Sequence, residues 1–410
     1  VEDPTVSVVV VSHGRPRSLA VTLTALARLD WNALEVVVVA CSRGAEAARA
    51  HPEGRAAKIL EYNAANISAA RNRGIAAAAG EVVAFLDDDA VPEASWLRHL
   101  VAPFAVTEVD AAGGYVLGRN GISLQWGART VDDTGFATPL ALTGDAPVIL
   151  HGTPRRAIKT EGTNMAVRRD VLAALGGFDP AYRFYLDETD LNLRLARAGH
   201  ATALVPRAQV HHGFAESARR GPDRTPRDLT EIGASTAVFL RRHAEDDRHG
   251  PALDALRRHQ RARLIGLLQR GPLDPSDMRR LMRGLEAGIA QGRTRPLAPL
   301  DPLPRPAQGF VSYPTRPGAP QVLLTGRRLA PLLDAARRRD RAGEVVTVLH
   351  MRPGTRAHHM RFDPGGVWVQ SGGLFGRSDR TGPRIRITRR STRVAAEIER
   401  LAPIRPLVRG

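Results

Sequence analysis

Residues 81–92, Glu81-Val82-Val83-Ala84-Phe85-Leu86-Asp87-Asp88-Asp89-Ala90-Val91-Pro92, read as a buried strand that delivers three consecutive carboxylates to its end. Adjacent carboxylates repel one another, so packing three at a strand end is unfavourable unless a cation or hydrogen-bond donors compensate. A hard divalent ion, Mg²⁺ or Mn²⁺, does this with oxygen ligands and keeps positions free for water and phosphate. The same run also fits an exposed acidic turn that caps the next helix, with Asp89 or Glu93 near its start.

Upstream, Val6 to Val11 reads as a second buried strand. The turn Ser12-His13-Gly14-Arg15-Pro16 and a helix from about Ser18 to Leu29 follow it. Another apolar run, Val36 to Val39, ends in Ala40-Cys41-Ser42-Arg43-Gly44. A short strand at Lys58-Ile59-Leu60-Glu61 precedes an alanine-rich helix from Asn66 to Ala79. This alternation predicts an α/β fold whose parallel sheet is covered on both faces, with ligand bound at the carboxyl ends of the strands. The aspartates lie at such an end.

Downstream, Phe184 to Leu195 holds a second acidic cluster. Leu191, Leu195 and Ala198 share a helical face, and Asp187 and Glu188 stand at the helix start, where the dipole and free N–H groups favour negative charge. Capping or charge stabilisation by Asp187 or Asp190 is the plain structural alternative. Before it, Glu161-Gly162-Thr163-Asn164 forms a small-residue turn able to bring backbone close to a ligand. After it, Val205 to His212 ends a strand in two adjacent histidines, which face opposite sides, so at most one reaches a common site.

The chain has 410 residues, 43% of them hydrophobic, enough for a large core and for an appended unit. No apolar run approaches the ~18–20 residues that span a bilayer, and the N-terminus lacks a leader pattern. A cytoplasmic location is expected, extending to peripheral contact with the inner membrane. Cys41 is the single cysteine, which excludes an intramolecular disulfide and a cysteine-rich metal site; it is expected to be a small core residue. Residues 1–240 carry 25 Lys and Arg against 27 Asp and Glu, whereas residues 241–410 carry 34 against 15. Only Lys58 and Lys159 are lysines. Arginine suits bidentate phosphate or carboxylate contacts, and a GC-rich genome gives the same skew. A near-neutral first half and 5% aromatic residues without basic–aromatic interleaving speak against nucleic-acid binding.

Taken in order, Asn66 to Gly74 (NISAARNRG), Phe85 to Leu97 (FLDDDAVPEASWL), Gly162 to Pro180 (GTNMAVRRDVLAALGGFDP), Leu186 to His200 (LDETDLNLRLARAGH) and Val205 to His212 (VPRAQVHH) carry a resemblance. Over roughly residues 4–215 the chain resembles family-2 glycosyltransferases of the GT-A fold, in particular bacterial sugar transferases with an acidic-pair-x-Asp-Leu motif. The resemblance implies an inverting hexosyl- or deoxyhexosyltransferase. Its donor would be a nucleotide-diphospho-sugar, its acceptor a hydroxyl of a glycan, lipid-linked or protein substrate, and its cofactor Mn²⁺ or Mg²⁺. It places Asp87 and Asp89 on the metal motif with His211 completing the shell, and Asp87 or Asp88 at the nucleotide ribose. Arg71 and Asn72 fall near the nucleotide, and Gly162, Thr163 and Asn164 between donor and acceptor. Glu188 is the implied general base, with Asp187 the neighbouring candidate. Ala40 departs from the pattern where many members carry an aspartate that contacts the base, which leaves UDP-, dTDP- and GDP-sugars all open. A non-catalytic binding protein of the same fold is the alternative.

Residues 1–215 thus form the expected catalytic domain and 216–293 a helical extension, with helices at Leu229–His243, Pro251–Arg270 and Asp274–Gln291. Residues 294–320 are expected to be a proline-rich linker. Residues 321–410 read as a small basic α+β module with strands at Val322–Leu324, Val345–Leu349, Gly366–Gln370 and Arg384–Thr388, and a last helix from Thr392 to Leu401. Its charge suits an anionic membrane surface or polymer, or a plain solvated surface.

Overall fold

The computed structural model describes residues 3–213, 216, 219–221 and 223–410, so the expected boundary at residue 215 lies outside the described residues. The first half alternates β1 (Val6–Ser12), α1 (Pro16–Leu26), β2 (Leu34–Ala40), α2 (Ser42–Ala50), β3 (Lys58–Glu61), α3 (Ile67–Ala77) and β4 (Val82–Asp87). The four strands are parallel in the order β3-β2-β1-β4, and the registers Ser12↔Ala40 and Val11↔Asp87 bring the carboxyl ends of β1, β2 and β4 to one edge. Val8, Val10, Val36 and Val38 pack against Leu19 and Leu23 on one face, while Val9, Val37, Val39 and Phe85 pack against Ala70 and Ile75 on the other. Burial on both faces is why these strands read as unbroken apolar runs. α1 starts at Pro16, ahead of the expected Ser18, because proline's fixed φ and missing N–H suit a first turn. Asn66 caps α3, its side chain accepting from Ala69 N at 3.0 Å.

The second half adds β5 (Ala90–Pro92), α4 (Trp96–Val101), β6 (Val109–Leu117), β7 (Leu124–Trp126), β8 (Arg129–Asp132), β9 (Ala137–Pro139) and β10 (Val148–Leu150). It continues with β11 (Arg156–Lys159), β12 (Met165–Arg168), α5 (Arg169–Ala174), α6 (Asp187–Arg197) and β13 (Ala201–His212). The sheet is mostly parallel: β12 enters antiparallel between β4 and β6, β13 runs parallel to β6, and β10 is an antiparallel edge. β11, β8 and β9 form a separate antiparallel sheet. β5 pairs with β13, Ala90 opposite His212 and Val91 opposite His211, which stitches the chain just after the aspartates to the histidines.

Helices α7 (Thr230–His243), α8 (Asp246–Gln269) and α9 (Pro275–Thr294) share a leucine core that includes Leu240, Leu256, Leu264 and Leu285. α7 and α9 approach so closely that a Cβ on Gly288 would meet Thr230 O at 1.9 Å, which requires glycine there. α8 begins at Asp246, and Pro251 sits inside it rather than at its start.

The proline-crowded stretch is not a free tether. Arg169 Nη2 donates to Pro304 O at 2.7 Å, Val311 N to Glu35 Oε1 at 2.9 Å, and Tyr313 N to Leu34 O at 2.7 Å. Tyr313 is buried, its hydroxyl donating to Leu23 O at 3.1 Å. The non-proline residues between the prolines keep their N–H groups and side chains for these contacts.

The C-terminal module consists of β14 (Gln321–Gly326), α10 (Leu329–Arg341), β15 (Val345–Arg352), β16 (His359–Asp363), β17 (Val367–Gly373), α11 (Arg390–Leu401) and β18 (Val408–Arg409). Its sheet order is β16-β17-β15-β14-β18. The expected strand over Arg384–Thr388 forms only an isolated bridge between Ile385 and Gly376. Its alternation of arginine and isoleucine finds no buried face, since Ile385 and Ile387 are 58% and 91% exposed. No helix among the described residues is long and apolar enough to cross a membrane.

Candidate active site

Asp87 ends β4, and the two aspartates that follow part company. Asp88 is fully buried, with Arg15 Nη2 2.5 Å from its Oδ1, and Thr22 Oγ1 donates to its backbone oxygen at 3.0 Å. Burial pushes the Asp88 carboxyl up to about 7 against the pull of Arg15, and the neighbouring aspartates add to the rise. Asp88 therefore serves the turn. Asp89 meets Arg15 Nη1 at 3.4 Å and His212 Nε2 at 3.2 Å, and Asp87 Oδ2 lies 3.9 Å from the same imidazole nitrogen. Asp87, Asp89 and His212 each offer one ligand atom, all within 4.8 Å of one another.

The expectation that His211 joins the aspartates is corrected by this geometry. β13 turns His211 to the other side, where Nε2 lies 2.6 Å from Glu93 Oε1 and the ring centroid 4.6 Å from that of Trp368. Burial opposes ionisation of Glu93, but Arg405 and His211 outweigh it and hold its carboxyl down at about 2. Two further expected residues stand outside the cleft. Asn72 exchanges hydrogen bonds with the backbone of Phe178, Nδ2 to O at 2.7 Å and Phe178 N to Oδ1 at 2.8 Å. Asn164 is buried, donating to Ala208 O and Tyr115 O and accepting from Trp96 Nε1 at 2.7 Å. Both amides are consumed in bracing the fold. Cys41, expected in the core, is half-buried at the end of β2 and accepts from Gly14 N at 3.3 Å.

Arg71 joins the two acidic clusters. It is buried, pairs with Asp187, donates to Gly162 O at 2.9 Å and lies 3.5 Å from Asp87 Oδ1. A Cβ on Gly162 would come within 2.5 Å of the guanidinium, so any larger residue there would displace Arg71 from this position. Tyr185 and Leu186, with φ of 75° and 65°, turn the chain through the left-handed region immediately before α6. Two consecutive non-glycine residues there store strain, which the surrounding packing must hold. That turn presents Asp187, which is buried, and Glu188, whose side chain keeps 18% of its exposure.

Lys159, at the end of β11, donates to Glu188 Oε1 at 2.8 Å and lies 3.6 Å from Glu161 Oε2, and Glu161 pairs with Arg129. Burial works against ionisation of Glu188, yet Lys159 holds its carboxyl well below the usual range. Asp187 moves the opposite way: burial raises it more than Arg71 lowers it, and the charge of Glu188 adds to the rise. Asp190 braces the helix instead, accepting from Arg194 Nε and lying 2.8 Å from His243 Nε2.

One cleft of about 470 Å³ takes in Asp87, Arg71, Gly162, Thr163, Glu188 and His212, with Leu256 and His259 of α8 on its wall. With Asp89 beside Asp87 and His212, its edge can hold a divalent cation between two carboxylates and an imidazole, and the cleft offers a largely buried carboxylate to accept a proton. Arg15, Lys159 and His212 were not singled out for these places by sequence reasoning. The scarcity of lysine was the one signal that pointed at Lys159, and both lysines are in fact buried partners of carboxylates, Lys58 lying 2.6 Å from Glu35.

Residues 4–225 match the family described as Glycosyltransferase like family 2. Among curated proteins, the O-antigen biosynthesis protein RfbC of Myxococcus xanthus is 29% identical over 238 residues, 54% of this chain and 18% of that protein. The N-acetylglucosaminyl-diphospho-decaprenol L-rhamnosyltransferase of Mycobacterium tuberculosis is 38% identical over 79 residues, 19% of this chain and 25% of that one. The pre-mycofactocin glycosyltransferase of the same organism is 30% identical over 153 residues, covering 35% and 29%. The chain thus spans less than a third of the length of each of these relatives. Among solved structures, a crystal structure of GalNAc-T7 with UDP, GalNAc and Mn²⁺ aligns at 20% identity with a TM-score of 0.43, over 58% of this chain and 48% of that one.

Proposed function

This chain belongs to the glycosyltransferase-like family 2, and on that premise we propose that it moves a sugar, with inversion, from a nucleotide-diphospho-sugar to a hydroxyl of a glycan or lipid-linked acceptor. The observation that carries this reading is the meeting, in one cleft, of Asp87 and His212, two members of the Asp87–Asp89–His212 cluster, with the Asp187–Glu188 pair. The name of the mycobacterial rhamnosyltransferase supports a lipid-linked acceptor and a deoxyhexosyl donor within that class.

Asp87, Asp89 and His212 are the residues that would hold a divalent ion, and a mixed carboxylate–imidazole set suits Mn²⁺ better than Mg²⁺, which prefers an all-oxygen shell. When bound, the ion supplies charge neutralisation at the departing diphosphate. The rest falls to side chains. The acceptor oxygen forms its bond to the anomeric carbon as the bond from that carbon to the diphosphate oxygen breaks, and the acceptor proton passes to Glu188. Lys159 fixes the carboxylate and keeps it ionised. Asp187, held by Arg71, lies beside it. Gly162 and Thr163 border donor and acceptor, and Arg71 ties the pair to Asp87. Ala40 is register partner to Glu61, which carries a carboxylate one strand over and accepts from Asn63 Nδ2 at 3.1 Å.

Calorimetric titration of UDP, dTDP and GDP, with and without Mn²⁺, tests the reading on the wild type and on Asp89→Ala. Metal-dependent binding of one nucleotide, lost in the variant, is the expected result. No binding of any of the three would overturn it.

A further inference from the structure

We infer that the C-terminal module, residues 321–410, is a working wall of the donor site and that Arg405 is a positioning residue for it. The inference rests on the reading of Asp87, Asp89 and His212 as the metal-holding residues.

Asp89 leads directly into β5, and β5 is laddered to β13 with Ala90 opposite His212 and Val91 opposite His211. The spacing between Asp89 and His212 therefore depends on how this three-residue ladder is held. What holds it from outside belongs to the module. Val91 packs into the module's own core beside Met351, Met360 and Trp368. Arg405 is fully buried and grips Glu93 with both arms of its guanidinium, Nε to Oε2 at 2.5 Å and Nη2 to Oε1 at 2.7 Å. It also stacks 3.9 Å above the Trp368 ring. Glu93 Oε1 in turn lies 2.6 Å from Nε2 of His211, the residue next to His212, and Ser95 Oγ donates to Ile404 O at 2.7 Å. The module also lends Met360 and Phe362 to a cavity of about 290 Å³ whose lining includes Asp89 and His212.

Removing the Arg405 cation would leave Glu93 as a buried carboxylate with only the His211 imidazole beside it, and the group that must then move is joined to both metal-bearing segments. Partners of metal ligands set affinity by orienting them, and Arg405 and Glu93 act one step further out, on the backbone segments that carry Asp89 and His212. A second ion pair across the same boundary, Arg28 Nη2 to Asp340 Oδ2 at 2.8 Å, ties the chain after α1 to α10 and touches none of these residues. It provides the control for loosening of the module in general.

The test is titration of Mn²⁺ alone into the full chain, followed by calorimetry and by the Mn²⁺ EPR signal, with a thermal melt of every variant. Arg405→Met should weaken Mn²⁺ binding about 10- to 100-fold. The pair Glu93→Gln with Arg405→Met, which removes both charges, should recover most of that loss. Arg28→Met should lower the melting temperature while leaving Mn²⁺ affinity unchanged. If Arg405→Met does not fold, Arg405→Lys replaces it, with weakening in the same direction expected. A folded Arg405 variant with wild-type affinity overturns the inference, as does an equal loss in Arg28→Met. Wild-type protein that binds no Mn²⁺ would remove the metal reading itself and this inference with it, whereas wild-type binding that ignores Arg405 removes only the inference.

Discussion

Lys159 Nζ lies 2.8 Å from Glu188 Oε1 and 3.1 Å from Thr189 Oγ1, so one of the chain's two lysines ties the end of β11 to the first turn of α6. The contact keeps the carboxylate charged and fixes its direction, two demands on a base that must meet an acceptor hydroxyl in one orientation. It also lowers basicity, and the left-handed turn at Tyr185 and Leu186 must hold the geometry against strain.

Replacing Glu188 with Gln removes the proton acceptor and keeps the shape. Turnover should fall by about 10²–10⁴-fold, with the donor KM changed by no more than a few-fold. Steady-state kinetics with saturating donor decide it, and wild-type turnover in Glu188→Gln would end the assignment.

Lys159→Met should move the acid limb of kcat/KM to higher pH. The lysine favours the ionised form of Glu188, so its loss raises that carboxyl and activity fails earlier as pH falls. In the wild type the limb should lie well below neutrality. A limb near neutrality in the wild type would transfer the base role to Asp187, which burial raises.

His212 should separate from Asn72 by what each affects. His212→Ala should abolish Mn²⁺-dependent nucleotide binding, as Asp89→Ala does. Asn72→Ala, which strips two hydrogen bonds from the Phe178 backbone, should lower stability by about 1–3 kcal/mol and leave Mn²⁺ binding in place. Calorimetry together with denaturant unfolding reads both quantities.

Glu93 predicts an acid-sensitive contribution to stability. Its folded carboxyl titrates at about 2 against 4.5 when unperturbed, so its stabilisation is complete above about pH 4.5 and disappears as pH falls toward 2. The amount at stake is about 3 kcal/mol. Unfolding measured between pH 7 and 2 should be less steep in Glu93→Gln than in the wild type, and identical profiles would show that the carboxylate is not held by Arg405 in solution.

Much of the first half was legible for local reasons. β1, β2 and β4 announce themselves because strands buried on both faces leave few polar positions, Ser7 and Glu35 being bonded to each other, and the ends of such strands carry the polar residues that ligands meet. The His211–His212 pair shows where legibility stopped. Alternation says that only one can face the aspartates, but β13 shifts register between Val205 and Gln209, so counting from the strand's start does not give the phase. Asn72 and Asn164 sit within motif-bearing blocks and yet spend their amides on backbone groups, which residue type alone does not distinguish from ligand contact. The prolines of residues 295–320 show that the segment is irregular without showing what it lies against.

By itself the sequence determined what adjacency and periodicity encode: a parallel α/β half, a carboxylate triplet at a strand end, and an acidic pair at a helix start. Only the tertiary structure decided which charges meet. Lys159 and Glu188 are 29 residues apart, and Glu93 and Arg405 are 312 apart. In a chain this rich in arginine a single cation carries no address, because its partner is chosen by which strand ends the packed sheet brings together and by the burial that makes an unpaired charge there too unfavourable to keep.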